Sequence, residues 1–299
     1  MRNLNILSIG TKKKKFQNYR LKLKINLIFG HSGTVGQSIY KSLKGKKNYF
    51  FSSKSKSKGT KKWDLNKNLN TFPIKKVDTC FFFSSPKIIK KNFKKEIFNK
   101  EYIWLKNVIS NIKIDRLIYL SSSSVYYEKT HVIGKAKRKC EKYILNNKSK
   151  FINYQIWRPF NLVGSSYNSS DHFYNILFRK MFIEKKNFYS FKGNINDKRG
   201  YSSVDEFTKV MLKYSKIKKN FIKDFGNPKL VKISEIIVNI FGIKYLLASL
   251  TIHPPKKRLI DRKCNQKISK IESFENKEYR SSRPKYKLKL LKILPLKYI

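Results

Sequence analysis

Short apolar runs separated by amphipathic stretches organise the chain from residue 25 onward. The runs are INLIF at 25–29, NYFF at 48–51, CFFF at 80–83, LIYL at 117–120 and YQIW at 154–157. They are continuously apolar rather than alternating, which predicts strands of a parallel sheet buried on both faces. Between them, Val35, Ile39 and Leu43 recur four residues apart, and Ala136, Cys140, Tyr143 and Ile144 fall at i, i+4, i+7 and i+8. Each set predicts one apolar helix stripe, with the aromatic and the cysteine in the core. Strand alternating with helix predicts a doubly wound α/β domain with helices on both faces. From about residue 165 the rhythm breaks into loop-rich sequence, so a smaller irregular C-terminal lobe is expected. The organisation read from the pattern is a basic leader over 1–24, a core over 25–164 with a return to it around 200–230, and a lobe and tail over most of 165–299.

Composition fits a packed core: 299 residues, 40% hydrophobic and 14% aromatic, exclude disorder for most of the chain. Cys80, Cys140 and Cys264 lie far apart with no C-x-x-C spacing, which indicates neither a disulfide framework nor a metal module. A reducing compartment is expected. The leader has an apolar stretch of about six residues before its lysines, too short for a secretory signal, so a cytoplasmic location is expected. Residues 236–252 are the nearest thing to a membrane span, but Asn239, Gly242 and Lys244 interrupt them, and a soluble helix, turn and strand is the reading.

The formal charge of +51, from 69 Lys+Arg against 18 Asp+Glu, raises nucleic acid as a partner. Only eleven of the 69 are arginine, and the lysines run through nearly every segment. A nucleic-acid reader concentrates charge on one face and uses Arg for bidentate base contacts. The composition instead reads as a general drift toward Lys, Asn, Ile, Phe and Tyr. Nonspecific attraction to anions follows; a specific nucleic-acid partner does not.

Directly after the first run comes Gly30-His31-Ser32-Gly33-Thr34-Val35-Gly36, leading into the first helix stripe. Glycines at such a strand-to-helix turn let the backbone approach a pyrophosphate, which the helix N-terminus binds through free N–H groups and its dipole. In this context the motif predicts a dinucleotide cradle formed by Gly30, Ser32, Gly33, Thr34, Val35 and Gly36, with His31 a loop residue.

The G-x-x-G-x-x-G spacing resembles the short-chain dehydrogenase/reductase superfamily, and later landmarks resemble its extended branch, the NAD-dependent epimerase/dehydratase family acting on nucleotide sugars. The resemblance spans residue 25 to about 240. It implies a Rossmann domain, NAD or NADP as cofactor, a nucleotide-sugar substrate in carbohydrate biosynthesis, and often a dimer. Asp78 to Ser85 resembles the family's strand-four pattern, with Phe82 at the usual His and Ser84 and Ser85 at two alanines close to the dinucleotide. Asp64, in Trp63-Asp64-Leu65, resembles an adenine-contacting Asp, and reads equally well as a helix N-cap. Family members using NAD carry an acidic residue after strand two. Here that place reads Ser52-Ser53-Lys54, which favours NADP or a weakened site.

The same resemblance makes Ser122, three residues before Val125, the group that bonds the substrate hydroxyl. Val132-Ile133-Gly134-Lys135-Ala136-Lys137, with Glu141 after it, resembles Pro-Tyr-Gly-Lys-Ser-Lys and its later Glu. Lys137 becomes the lysine that holds the nicotinamide ribose, and Ile133 stands where the family has its catalytic Tyr. Isoleucine cannot transfer a proton. A second register, His131 with Lys135, keeps the four-residue spacing and loses the match at Gly134 and Glu141. The segment between Ser122 and residue 133 is about half the family's length; Tyr126, Tyr127 and His131 on it read as loop or packing residues. Trp157 to Gly164 resembles Arg-Pro-x-Asn-x-x-Gly, which gives Asn161 to the sugar's nucleotide diphosphate. Gly193 to Glu206 resembles a segment whose Arg, here Arg199, pairs with that diphosphate. Phe225-Gly226-Asn227-Pro228 and Ile233 to Ile236 resemble the return strand and a following helix. A fainter likeness lies in Arg283-Pro284. A homodimer through the helix after Lys137 is opposed by Lys135, Arg138, Lys139 and Lys142.

Three functions of different class are therefore expected in turn. One is an enzyme passing a hydride between NAD(P) and a nucleotide sugar, as epimerase, dehydratase or reductase. The second is a relative that binds dinucleotide or nucleotide sugar without turnover. The third is a nucleic-acid or membrane-surface protein acting through charge.

Overall fold

A computed structural model describes residues 24–53, 60–67, 72–86, 97–127, 132–164, 184, 196, 198–228 and 230–235. The leader before residue 24, Lys54, His131, most of the lobe and the stretch at 236–252 with the tail lie outside the described residues.

The chain runs β1 (Asn26–Phe29), α1 (Thr34–Leu43), β2 (Tyr49–Ser53), β3 (Thr60–Lys62), β4 (Lys76–Phe82), α2 (Ile97–Asn111), β5 (Lys113–Leu120), a 3-10 turn (Ser123–Tyr127), α3 (Val132–Asn146), β6 (Asn153–Pro159), β7 (Leu162–Val163), β8 (Lys198–Arg199), β9 (Ser202–Ser203), α4 (Val204–Tyr214), β10 (Phe221–Phe225) and β11 (Val231–Lys232). Seven strands form one sheet in the order β10-β6-β5-β4-β1-β2-β3. Every pairing in it is parallel, and the strand order reverses between β1 and β4. This is the doubly wound architecture that the pattern predicts. The five apolar runs all lie in the sheet, and β3 and β10 join its edges. β3 is the short Thr-Lys-Lys, which no apolar pattern could announce. β10 follows α4 and pairs with β6, so the chain returns to the sheet after the segment that breaks the rhythm.

The continuous apolar runs are explained by two cores, one on each face. Leu27, Phe29, Cys80, Phe82, Leu117, Tyr119 and Ile156 point to one side, where Leu105, Val108 and Ile109 of α2 and Cys140 and Ile144 of α3 cover them. Ile28, Phe81, Phe83, Ile118 and Trp157 point to the other, against Val35, Ile39 and Leu43 of α1 and Val204, Phe207 and Met211 of α4. Successive strand residues thus alternate between two largely apolar layers, among which Asn26, Ser52, Thr79, Asn153 and Gln155 are the buried polar residues described in this sheet. A hydrogen bond of 2.6 Å from Ser38 Oγ to Asp205 Oδ1 ties α1 to α4. The Ser203 side chain caps α4 by accepting from the Asp205 and Glu206 amides.

Because the sheet is parallel, the carboxyl ends of β1, β2, β4, β5 and β6 share one edge, and ligands of open α/β sheets bind there, at the point where strand order reverses. At that point Gly36 packs α1 onto the β1 turn: a Cβ on it would lie 2.2 Å from the Gly30 carbonyl oxygen and 2.5 Å from His31 Cα, both backbone. Gly36→Ala, which in an open helix would stabilise by up to about 1 kcal/mol, is expected instead to destabilise by at least about 2 kcal/mol through overpacking. Urea denaturation of the two proteins checks the sign.

Candidate functional site

The cradle follows from three glycines in different surroundings. Gly30 has φ +83°, and a Cβ there would meet the Phe83 carbonyl carbon and the Ser84 amide nitrogen at 2.6 Å, so only glycine fits between β1 and the end of β4. Gly33 is the N-cap of α1 without a side-chain cap; a Cβ there would meet only Gly30 O, at an ordinary 3.6 Å. The Gly33 amide donates to Gly30 O at 3.2 Å and closes the turn. Ser32 and Gly33 are exposed and Thr34 half-buried, whereas Val35 and Gly36 are buried toward the core. The first turn of α1 carries no acidic residue, which leaves its positive dipole end available to an anion.

At the end of the neighbouring strand, Ser52 is buried and, among the described residues, its Oγ has no hydrogen-bond partner. His31 Nδ1 lies 3.3 Å from the Ser52 carbonyl oxygen. No carboxylate occupies Ser52 or Ser53 at the end of β2. Asp64 does not cap a helix: its Oδ1 accepts from the Asn66 amide at 3.0 Å and the Asn66 side chain at 2.7 Å, an Asx turn beyond β3 at the sheet's edge.

On the other side of the reversal point, Ser84 is buried and Ser85 exposed. Lys137 is buried on α3, one turn after the half-buried Ile133. Its Nζ donates to the Leu120 carbonyl at 2.8 Å and to Glu101 Oε1 at 2.7 Å. Tyr119 donates to the same carboxylate oxygen at 2.7 Å, and Ser85 Oγ to Oε2 at 2.8 Å. Burial, with the Glu101 charge beside it, holds the Tyr119 phenol well above its ordinary range. Glu101 thus joins the ends of β4 and β5 to Lys137. The sequence reading passed over it. Its signal was there: Glu101, Leu105, Val108 and Ile112 share one helical stripe, and a carboxylate in such a stripe is buried only with partners.

A second carboxylate network lies beside it. Glu141 is almost wholly buried, accepts from Ser121 Oγ at 2.6 Å, from Arg158 Nε at 2.8 Å and Nη2 at 2.7 Å, and from Arg138 at 2.8 Å. Arg158 also reaches the Tyr126 hydroxyl at 3.0 Å. That hydroxyl donates to Asp224, whose two oxygens lie 2.6 and 2.7 Å away. Burial first, then the Asp224 hydrogen bond, raises the Tyr126 pKa. Tyr126 is therefore a structural donor between β5, β6 and β10. Ser122 is half-buried next to this network, with its Oγ 3.0 Å from Ser124 Oγ and accepting from the Ser124 amide at 3.2 Å.

Asn161 lies two residues beyond β6 with φ 40°, a conformation that Asn tolerates better than most residues. Its side-chain nitrogen donates to the Gly200 carbonyl at 3.1 Å, which holds it beside Arg199. Arg199 is half-buried in β8, opposite Val231 of β11. The Phe160 amide donates to Phe225 O at 2.8 Å. The three segments around Asn161, Arg199 and Phe225, far apart in sequence, thus converge at one edge. Ile233 to Glu235 are helical, and the residues from 236 lie outside the described residues.

No family model and no curated protein matches the sequence. Solved structures do match, among them UDP-sugar 4-epimerases and an NAD-dependent NDP-hexosamine 5,6-dehydratase. UDP-N-acetylglucosamine 4-epimerase from Bacillus cereus is similar over 82% of this chain and 95% of its own, with 17% identity and a TM-score of 0.61. MoeE5 in complex with UDP-glucuronic acid and NAD covers 77% of this chain and 89% of its own, at 15% identity and a TM-score of 0.59. RMD from Pseudomonas aeruginosa complexed with NADPH covers 76% and 86%, at 17% identity and a TM-score of 0.61. At these identities the likeness shows a shared Rossmann-type fold. No helix among the described residues is long and apolar enough to cross a membrane.

Two measurements check the buried network. Arg158→Met leaves the Glu141 carboxylate short of two bonds and is expected to cost about 3 kcal/mol, read by urea denaturation. The Tyr126 phenol ionises at about pH 10 in the unfolded chain and higher in the fold. Its contribution is therefore fully present below about pH 10 and is lost as pH rises from there toward the folded value. Tyr126→Phe is expected to flatten the alkaline decline in stability, measured by denaturation at about pH 9 to 11.

Proposed function

We propose that this chain binds NAD(P) in the Gly30–Gly36 cradle and a nucleotide sugar across the neighbouring strand ends, as a protein of the epimerase/dehydratase/reductase type. The observation that carries the reading is the cradle: two glycines that admit no Cβ and a third, exposed, at an uncapped helix N-terminus. The buried Ser52 hydroxyl at the end of β2, without a partner among the described residues, also fits a ligand rich in hydroxyls and phosphate oxygens. Gly30, Ser32, Gly33, Thr34, Val35 and Gly36 would hold the pyrophosphate, largely through backbone. Ser52, Ser84, Ser85 and Lys137 would hold the sugars of the dinucleotide, with Asp64 at the adenine. The absence of a carboxylate at Ser52 and Ser53 favours NADP over NAD.

When bound, NAD(P) supplies a hydride acceptor or donor. The chain's own part is to position: Ser122 orients the sugar hydroxyl, Lys137 offers its remaining N–H, and Asn161 and Arg199 take the diphosphate. Ile133 contributes no proton acceptor, and Tyr126 is held as a donor to Asp224. These two observations favour a second reading, binding without turnover. The proposal carries a cytoplasmic protein; Lys135, Arg138, Lys139 and Lys142 oppose a homodimer through α3.

Calorimetric titration of nucleic-acid-free protein with NAD, NADP and UDP-glucose tests the reading. Micromolar binding of a dinucleotide, weakened at least about 100-fold by Gly33→Asp, which places a carboxylate where the phosphate would sit, is the expected result. Binding of none of the three overturns it. A turnover assay of the wild type then separates the two readings, and in a wild type that binds without turnover Ile133→Tyr is expected to bring in measurable turnover. A wild type that already turns over rules out the second.

A further inference from the structure

The structure gives Lys137 a counter-charge. Its Nζ lies 2.7 Å from Glu101 Oε1, with both side chains under a tenth exposed. Among the described residues, the groups packed on this pair add no charge: the Tyr119 phenol is held well above its ordinary range, and the Cys140 thiol is pushed up to about 12, chiefly by burial. The nearby Arg138 and Arg158 are balanced by two carboxylates, Glu141 and, through the Tyr126 hydroxyl, Asp224. The cluster sits at the ends of β4 and β5, on the opposite side of the reversal point from β2. A dinucleotide lying across that point has its adenosine over β2 and its nicotinamide over β4 and β5.

The oxidised nicotinamide ring carries one positive charge and the reduced ring none. A bare buried ammonium several ångströms away would disfavour the oxidised form by about tenfold or more at an effective dielectric of about 20. A carboxylate 2.7 Å from that ammonium cancels most of its field, because the ring then meets a short dipole instead of a charge. Resting on the dinucleotide reading above, we propose that Glu101 is a specificity-determining residue: by neutralising Lys137 it lets the site take the oxidised, cationic dinucleotide as well as the reduced one. It acts through Lys137 and has no part in proton transfer.

The test is the ratio of affinities for oxidised and reduced dinucleotide, measured on the full chain by calorimetry and dihydronicotinamide fluorescence with NAD+, NADH, NADP+ and NADPH. Glu101→Gln keeps one acceptor oxygen for Tyr119, turns an NH2 donor toward the Ser85 hydroxyl oxygen, and removes the charge. It is expected to shift the ratio about five- to tenfold toward the reduced form. Lys137→Met leaves the carboxylate alone and is expected to shift it a similar amount toward the oxidised form. The double variant, neutral again, returns close to the wild-type ratio. A purely structural Glu101 would weaken both forms together, so an unmoved ratio in the single variants overturns the proposal while leaving the dinucleotide reading intact. Failure of the wild type to bind either form overturns both. Should Glu101→Gln not fold, as judged by circular dichroism, the opposite shift in Lys137→Met decides the matter.

Discussion

The contact between Gly30 and the backbone of Phe83 and Ser84 is the constraint from which the rest of the site is built. The end of β1 can turn into α1 only by passing so close to the end of β4 that no side chain fits between them. That approach sets the cradle beside Ser84 and Ser85. Ser85 bonds Glu101, and Glu101 bonds Lys137, so the geometry of one backbone crossing is passed along three side chains to the end of β5. Gly36 supports the same crossing from the helix side, because a Cβ on it would collide with the backbone of Gly30 and His31.

The acidic residues mark where the structure concentrates its polar order. The chain has 18 carboxylates for 69 basic side chains, so charge alone cannot decide which lysine or arginine gains a partner. The fold decides it by burial. Glu101 and Glu141 are each enclosed at the strand ends, where each gathers three or more donors. A buried carboxylate without them would be costly, so both networks also tie β5, α2, α3 and β6 into one register. Among the described residues, Lys137 is the lysine buried in this order. The net charge describes the surface and its attraction to anions, and the chemistry of the site depends on the few acids held inside.

The site residues differ in how far the sequence could reveal them. The cradle was legible because its requirement is local: a strand, a turn without side chains and a helix, all within eleven residues. Ser122, Lys137, Asn161 and Arg199 were read only by resemblance; the structure bonds the Asn161 side chain to the Gly200 carbonyl, next in sequence to Arg199. Asp64 was left between two readings; its oxygen closes an Asx turn on Asn66, a local bond that a helix cap would also satisfy. Glu101 was not read, since its partners come from β4, β5 and α3, between 16 and 36 residues away. The same holds for the bond from Tyr126 to Asp224, which spans 98 residues.

By itself, then, the sequence determined the doubly wound sheet, its two apolar faces, the helix stripes of α1 and α3 and the glycine turn, because each is set by periodicity or by backbone freedom within one segment. Only the tertiary structure decided that β3 and β10 complete the sheet, that Tyr126 is committed to Asp224, and that Lys137 meets a buried carboxylate. Those outcomes depend on which strand ends the parallel register brings side by side, and a side chain's charge and partners follow from that placement and not from its neighbours in the chain.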